Sequence, residues 1–151
     1  MTVTQSGLFT GTFAALLGVS QLAIDLSAAT NRVALFTNAV TPAFDAAPAA
    51  AAYGAGAFAS GEVSGAGYSS GGALLSGQSL AYGSGLVTYD ASDTDWPAST
   101  ITDARCALLY ADGLAGNNAY CLINFGSDYS TFNGLFRIQW NSAGIFYLDL
   151  A

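Results

Sequence analysis

The sequence predicts an all-β protein: a single-domain antiparallel β-sandwich, jelly-roll or immunoglobulin-like, with a short N-terminal helix or arm. The length of 151 residues fits one domain. After residue 62, short apolar segments are separated by clusters of Gly, Ser, Asn and Asp, which is typical of sandwiches and barrels. We assign residues 1–151 to this domain, with 1–21 as the arm or helix and 41–60 as a long Ala/Gly/Pro loop.

The N-terminal region offers two alternatives. Residues 8–17 place Phe9 and Phe13 on one helical face, but Gly11 lies within this stretch, and an extended arm fits equally well. Residues 22–26 alternate in polarity, whereas 32–37 are rich in strand-forming residues and predict the firmer strand.

The 41–60 segment cannot be one continuous helix, because two prolines and two glycines interrupt its alanines. It carries single aromatic residues at Phe44, Tyr53 and Phe58. Two interpretations remain open: a flexible excursion, or an arm whose aromatic side chains dock on a neighbouring protein.

The remaining chain predicts short strands at 62–64, 67–75, 78–82, 85–90, 104–111, 119–125, 134–140 and 145–150. Residues 104–111 and 120–125 are apolar on both faces, which favours the centre of a sheet or a subunit contact. Alternation in the last two segments predicts a hairpin closed by Gly144 in the left-handed region. We therefore expect deletion of 145–151 to abolish soluble folding.

Charge and composition exclude several chemistries. The chain has three arginines, no lysine and no histidine, so Schiff-base catalysis, a phosphate-binding lysine and a histidine base are absent. A net charge of −7 opposes binding to nucleic acid and to anionic membranes. No apolar run is long enough for a spanning helix, and the start lacks a basic signal-peptide region, so we expect synthesis and retention in the cytoplasm.

One acidic cluster invites a metal interpretation. Asp90, Asp93 and Asp95 alternate as calcium ligands would, but the stretch lacks the glycine and glutamate of an EF-hand loop. A solvated loop with turn-capping aspartates is the favoured alternative. No cofactor is expected.

Nucleophilic and glycosidase chemistry are disfavoured. No base is present to activate a serine, and a domain this small has little material for a walled acidic cleft. Cys106 and Cys121 lie on neighbouring predicted strands but not directly opposite one another. We interpret them as buried and reduced, while a bridge between them stays open.

Aromatic residues make up 13% of the chain and suit protein recognition. The interface candidates are Phe9, Phe13, Phe44, Tyr53, Phe58, Tyr68 and Tyr129.

Three stretches together resemble a family of small structural proteins of tailed bacteriophages. They are residues 32–38 (RVALFTN) with 41–45 (TPAFD), 61–72 (GEVSGAGYSSGG), and 124–128 (NFGSD) leading to 133–140 (NGLFRIQW). Trp96 and the 101–105 stretch also fit. The Ala-rich 46–59 stretch and the N-terminus depart most from the pattern.

The resemblance implies a β-rich capsid decoration, or cement, protein on the virion surface, made in the host cytoplasm. Its partners would be the major capsid protein and itself, as a homotrimer or, second, a dimer. It transfers no catalytic residue. A minor tail or neck protein and a receptor- or glycan-binding module are the alternatives.

Overall fold

The structure is a computed structural model that describes residues 2–18 and 20–151. It has the predicted all-β, sandwich-like fold, with several antiparallel sheets and one short α-helix among the described residues. The elements, in chain order, are β1 (Gly7–Leu8), α1 (Thr10–Leu17), β2 (Asn31–Phe36), a 3-10 helix (Gly56–Phe58), β3 (Ala73–Leu74), β4 (Ser79–Gly83), β5 (Leu86–Asp90), β6 (Thr94–Ser99), β7 (Ala104–Ala111), β8 (Ala119–Tyr129), β9 (Gly134–Ile138) and β10 (Phe146–Asp149).

The largest sheet has five strands in the order β1-β8-β7-β2-β3. As predicted from their apolar sequences, β7 and β8 lie inside this sheet, and both faces are covered along β7 and along residues 119–122 of β8. Val33, Leu109 and Cys121 are aligned across three strands and face one side of the sheet. Their neighbours along each strand face the other side.

The first face packs against two smaller sheets. One has the order β10-β5-β4, and the other pairs β6 with β9. Tyr89 of β5 and Trp96 of β6 are buried in the shared core together with Phe136 of β9. This arrangement produces the two layers of the sandwich.

The second face of the five-stranded sheet is covered by the chain's own 41–60 segment. Phe58 is 2% exposed and lies between Phe9 and Phe36, with ring centroids 5.9 and 5.2 Å away. The Ala119 N–H donates to the Ala51 carbonyl at 2.8 Å, which ties the segment to β8. Neither the flexible excursion nor the docking arm describes this segment, because a sheet that is apolar on both sides needs an intramolecular cover.

Several strand predictions need correction. Residues 22–26 form no strand, and of 62–64 and 67–75 only Ala73–Leu74 is a strand besides an isolated bridge at Glu62. Gly71 and Gly72 have φ angles of 90° and 73°, and a Cβ on Gly72 would meet the Val33 carbonyl. The chain therefore turns against β2 where the sequence predicted a continuous strand.

The predicted C-terminal hairpin is also wrong, although its turn is present. Gly144 has a φ of 103°, and its N–H donates to the Asn141 carbonyl at 2.8 Å. However, β9 pairs with β6, and β10 pairs with β5. Alternation identified the more buried face within β9 and β10, but Leu150, expected on that face, lies beyond β10 and is 72% exposed. The alternation carried no information about the partner of either strand.

The described part of the chain contains no helix of the length and hydropathy that crossing a membrane requires. Its α-helix, α1, has eight residues and packs on the sheet through the buried Thr12, whose hydroxyl donates to the Ala119 carbonyl at 2.8 Å.

Candidate functional site

An open apolar groove of about 560 Å³ lies between the end of β8, strand β9 and the turn that follows β9. Its floor contains Ile123, Phe125, Phe136 and Ile138. The Phe125 ring centroid lies 6.3 Å from that of Phe136. The floor is therefore held by core packing and does not depend on a ligand for its shape.

The rim of the groove exposes large apolar side chains. Tyr129 is 53% exposed and Leu135 is 51% exposed, and both line the groove. Phe132 follows the lining residue Thr131 in the 130–133 connection between β8 and β9, and it is 89% exposed but does not itself line the groove. Clustered exposed apolar side chains of this kind mark protein interaction sites.

The groove is nearly free of unpaired charge. Arg137 is its one Lys, Arg, Asp or Glu lining residue, and it forms a two-point ion pair with Asp95, with both N–O distances 2.7 Å. This pair lowers the pKa of Asp95, mainly through the hydrogen bonds from the guanidinium. Depletion of net charge is characteristic of interface cores.

Trp140 also lines the groove. Its backbone N–H donates to the Asp93 carboxylate at 3.1 Å. Its indole Nε1 is buried and has no hydrogen-bond partner within the described chain. This N–H is therefore enclosed by the packing around the groove and is not presented at its surface.

A separate polar cluster surrounds Glu62, the chain's single glutamate. Its Oε1 accepts hydrogen bonds from the Tyr68 hydroxyl at 2.8 Å and the Gly71 N–H at 2.7 Å. Its Oε2 accepts from the hydroxyls of Tyr53 and Ser70, both at 2.8 Å. The carboxylate therefore links the cover segment to the 68–71 turn.

The Tyr68 hydroxyl also accepts the Leu35 N–H at 2.9 Å, so it must give its own proton to Glu62. Burial raises the pKa of Tyr68 and that of Tyr53, which keeps both phenols protonated. Every oxygen of Glu62 is thus occupied by donors that hold loops together, and the cluster is built for structural support.

Six of the seven aromatic interface candidates serve intramolecular packing. Phe9 and Phe58 are buried, and Phe44, at 5.3 Å from Phe9, packs against the same core. Phe13 packs edge-on against Phe146.

Tyr53 and Tyr68 are half-buried. Tyr53 stacks on Tyr110 at 4.7 Å, and Tyr68 packs on Trp96 at 6.0 Å. Of the seven candidates, Tyr129 alone is exposed and lies at the groove. Both sheet faces use aromatic side chains that were expected to face a partner: Phe9, Phe44, Tyr53 and Phe58 pack on the second face, and Phe13 and Tyr68 pack against the core on the first.

The structure does not bring Asp90, Asp93 and Asp95 together as cation ligands. Asp90 caps the Ala91 N–H at 2.8 Å, Asp93 accepts from Trp140, and Asp95 pairs with Arg137. Each of the three carboxylates therefore already has a hydrogen-bond partner within the chain. Within residues 2–18 and 20–151, no group of three or more Asp, Glu, Cys or His is arranged to hold a metal ion.

Cys106 and Cys121 are buried and unbridged. As predicted, they lie on neighbouring strands but out of register, since Cys106 is opposite Asn124 and Cys121 is opposite Leu109. Burial raises the pKa of each thiol to about 12. Both side chains are therefore inert core residues.

Sequence reasoning missed Leu135 at the groove's rim and the exposed Phe132 in the adjoining connection. Phe132 and Leu135 were not singled out, although a large apolar residue in the polar stretch Ser130-Thr131-Phe132-Asn133-Gly134 is an available signal. An exposed turn has no intramolecular use for such a side chain.

Fold and site together define a small β-sandwich-like protein that presents an apolar contact groove. Compared with known proteins, the chain matches no family model, no curated protein and no solved structure.

Proposed function

We propose that this chain is a structural protein of a tailed bacteriophage that decorates the capsid, binding the outer surface of the major capsid lattice. The observation that carries the proposal is the groove, with Tyr129 and Leu135 exposed at its rim. The motifs that resemble phage head proteins support this assignment and select the class of partner.

The proposed mechanism is binding without catalysis. A decoration protein bridges neighbouring capsid subunits and adds buried apolar area across seams that internal pressure would open. The groove would receive an apolar segment of the capsid protein. Many identical copies on a lattice then multiply modest single contacts.

All three arginines are already paired within the chain, with Asp112, Asp128 and Asp95. Because the groove has no charged lining residue besides the paired Arg137, adhesion through the groove would be apolar and backbone-mediated. High salt should preserve or strengthen such binding, whereas it weakens contacts made by exposed charges.

The proposal is tested by adding the purified protein to capsids that lack it and measuring bound copies and the temperature at which packaged DNA is released. Wild-type protein should saturate lattice sites and raise the release temperature. Leu135→Asp should bind about tenfold more weakly or worse, because it places a charge in an apolar contact.

Leu74→Asp is the matched control, because Leu74 is 53% exposed and lies outside the groove. It should bind as wild type does. Wild-type protein that leaves capsids unbound and unstabilised would overturn the proposed function. If Leu135→Asp binds capsids as tightly as wild type does, the groove is not the contact surface.

A further inference from the structure

Strand β4 is an exposed sheet edge that lacks the usual protection against pairing with another chain. It lies at the edge of the β10-β5-β4 sheet, and all five of its residues are exposed. Leu80 is 50% exposed and Tyr82 is 91% exposed. Such an edge presents unpaired backbone donors and acceptors to any extended strand.

Each of the other edge strands of the described chain has a feature that hinders pairing with another chain. Strands β1 and β3 have two residues each. Strand β6 contains Asp95 and Pro97 and shifts register, β9 carries Arg137, and β10 carries Asp149. Strand β4 has no charge and no proline, and it pairs with β5 without a register shift.

Hydrogen bonding fixes which backbone groups of β4 face outward. Ser84 and Gly85 form the two-residue turn between β4 and β5, with φ angles of 50° and 80°. In such a hairpin the flanking pair, Gly83 with Leu86, exchanges both hydrogen bonds. Ala81 is the next residue to bond inward, so the backbone groups of Leu80 and Tyr82 point to the free edge.

The opposite side of β5 agrees with this assignment. The carbonyls of Gly85 and Tyr89 accept from Leu150 and Ile145 of the β10 region, both at 2.8 Å. Alternate residues of β5 therefore face β4, which leaves Leu80 and Tyr82 with outward-directed groups.

From this geometry we infer that β4 pairs antiparallel with β4 of a second copy of this chain, around a two-fold axis at Ala81. Leu80 of each copy then lies opposite Tyr82 of the other, and these two pairs exchange four backbone hydrogen bonds. The exposed Leu80 and Tyr82 side chains become cross-strand neighbours on one face. The contact is isologous and closes as a dimer with a six-stranded sheet.

Charge distribution favours a second copy at this place. Two chains of net charge −7 repel one another, so a contact between them is least opposed where both surfaces are uncharged. Residues 63–89, which contain β3, β4 and most of β5, include no Asp, Glu, Lys or Arg. This favours the dimer, the second of the two oligomeric states expected from the sequence.

The inference stands on β4 alone and does not rest on capsid binding. It is tested by analytical ultracentrifugation over a range of concentrations. Wild-type protein should show a reversible monomer–dimer equilibrium, and Tyr82→Lys should raise the dissociation constant about tenfold or more. Tyr147→Lys is the matched control, because Tyr147 is 59% exposed on β10 and should leave dimerisation unchanged.

A cysteine pair tests the register and does not depend on the folding of Tyr82→Lys. Ala81 would meet its own symmetry mate at about 4.5 Å between Cα atoms, a separation that a disulfide can span. Ala81→Cys should form disulfide-linked dimers under mild oxidation, whereas Ser79→Cys should not, because Ser79 would lie opposite Gly83 of the other copy. The native cysteines are buried and do not compete.

A wild-type protein that is monomeric throughout, or trimeric, would overturn the inference. So would a Tyr82→Lys variant with wild-type affinity, or Ser79→Cys cross-linking as readily as Ala81→Cys.

Discussion

Replacing Glu62 tests whether the polar cluster holds the loops of the sandwich together. Its carboxylate accepts four hydrogen bonds from Tyr53, Tyr68, Ser70 and Gly71. The two sides of the carboxylate differ. The Gly71 N–H can only donate, and the Tyr68 hydroxyl is committed to donating because it already accepts from Leu35. The hydroxyls of Tyr53 and Ser70 can instead rotate and accept a hydrogen bond from the side chain at position 62.

Glu62→Gln should therefore place its amide nitrogen toward Tyr53 and Ser70 and keep its oxygen toward Gly71. It retains the shape of the side chain but turns charge-assisted hydrogen bonds into neutral ones, which we expect to cost about 2 kcal/mol. Glu62→Ala leaves the Gly71 and Tyr68 donors without their acceptor, at about 1–3 kcal/mol each. Because Glu62 is only half-buried, water offsets part of this cost, and we expect a total of about 3 kcal/mol.

The assay is urea and thermal unfolding followed by circular dichroism. For a chain of 151 residues, these costs lower Tm by about 4–8 °C for Glu62→Gln and more for Glu62→Ala. The control is Asp112→Ala, which breaks the exposed ion pair with Arg32 and should cost under about 1 kcal/mol. If Glu62→Ala proves no more harmful than Asp112→Ala, the cluster does not carry the stabilisation assigned to it.

Three further predictions follow from the packing and charges. Cys106 and Cys121, whose pKa values burial raises to about 12, should react with a thiol reagent only after unfolding; rapid modification of the native protein would contradict their inert role. Because Arg137 holds the pKa of Asp95 below 3.8, the pair stabilises the fold above that pH and loses its effect as the pH falls through the lowered folded-state pKa. In Arg137→Gln, the free energy of unfolding measured in urea should fall less as the pH is lowered. An unchanged pH dependence would show that the ion pair does not contribute to stability. Phe58→Ala, in the buried cover of the sheet, should cost about 3–5 kcal/mol. Phe132→Ala, at an 89% exposed position, should stay within about 0.5 kcal/mol of wild type, and equal costs would refute the division between cover and contact surface.

Local composition was enough to find the centre of the fold. Strand β7 has the predicted bounds, 104–111, because an uninterrupted apolar run needs cover on both faces. The same logic could have identified the 41–60 segment as that cover. Its alanines and glycines suggest a loop, but a central sheet that is apolar on both sides requires something to lie across its second face.

Strand β6 was not predicted, because its local sequence disfavours the strand that it forms. Asp93, Asp95 and Pro97 disfavour a strand locally, yet Thr94 and Trp96 between them are buried against β9. Tertiary pairing overrides local preference in this stretch. The groove, likewise, depends on the pairing of β9 with β6, which no short-range pattern in the sequence encodes.

The proposed contact surface unites features that lie apart in the sequence analysis. Tyr129 was predicted from its place near a loop, while Leu135 and Trp140 were assigned to strands that bury one face. The exposed rim arises because β8 runs beyond its pairing with β1 and leads into the 130–133 connection. This exposure depends on which strands pair along β8, so the sequence of β8 alone does not predict it.

The most direct test of the central claim is a cryo-electron-microscopy map of the phage particle with this chain located in it. We predict copies distributed over the outer surface of the head, with the groove and its rim residues Tyr129 and Leu135 against the major capsid protein. A single ring of copies at the neck or tail, or a head surface without this chain, would contradict the account.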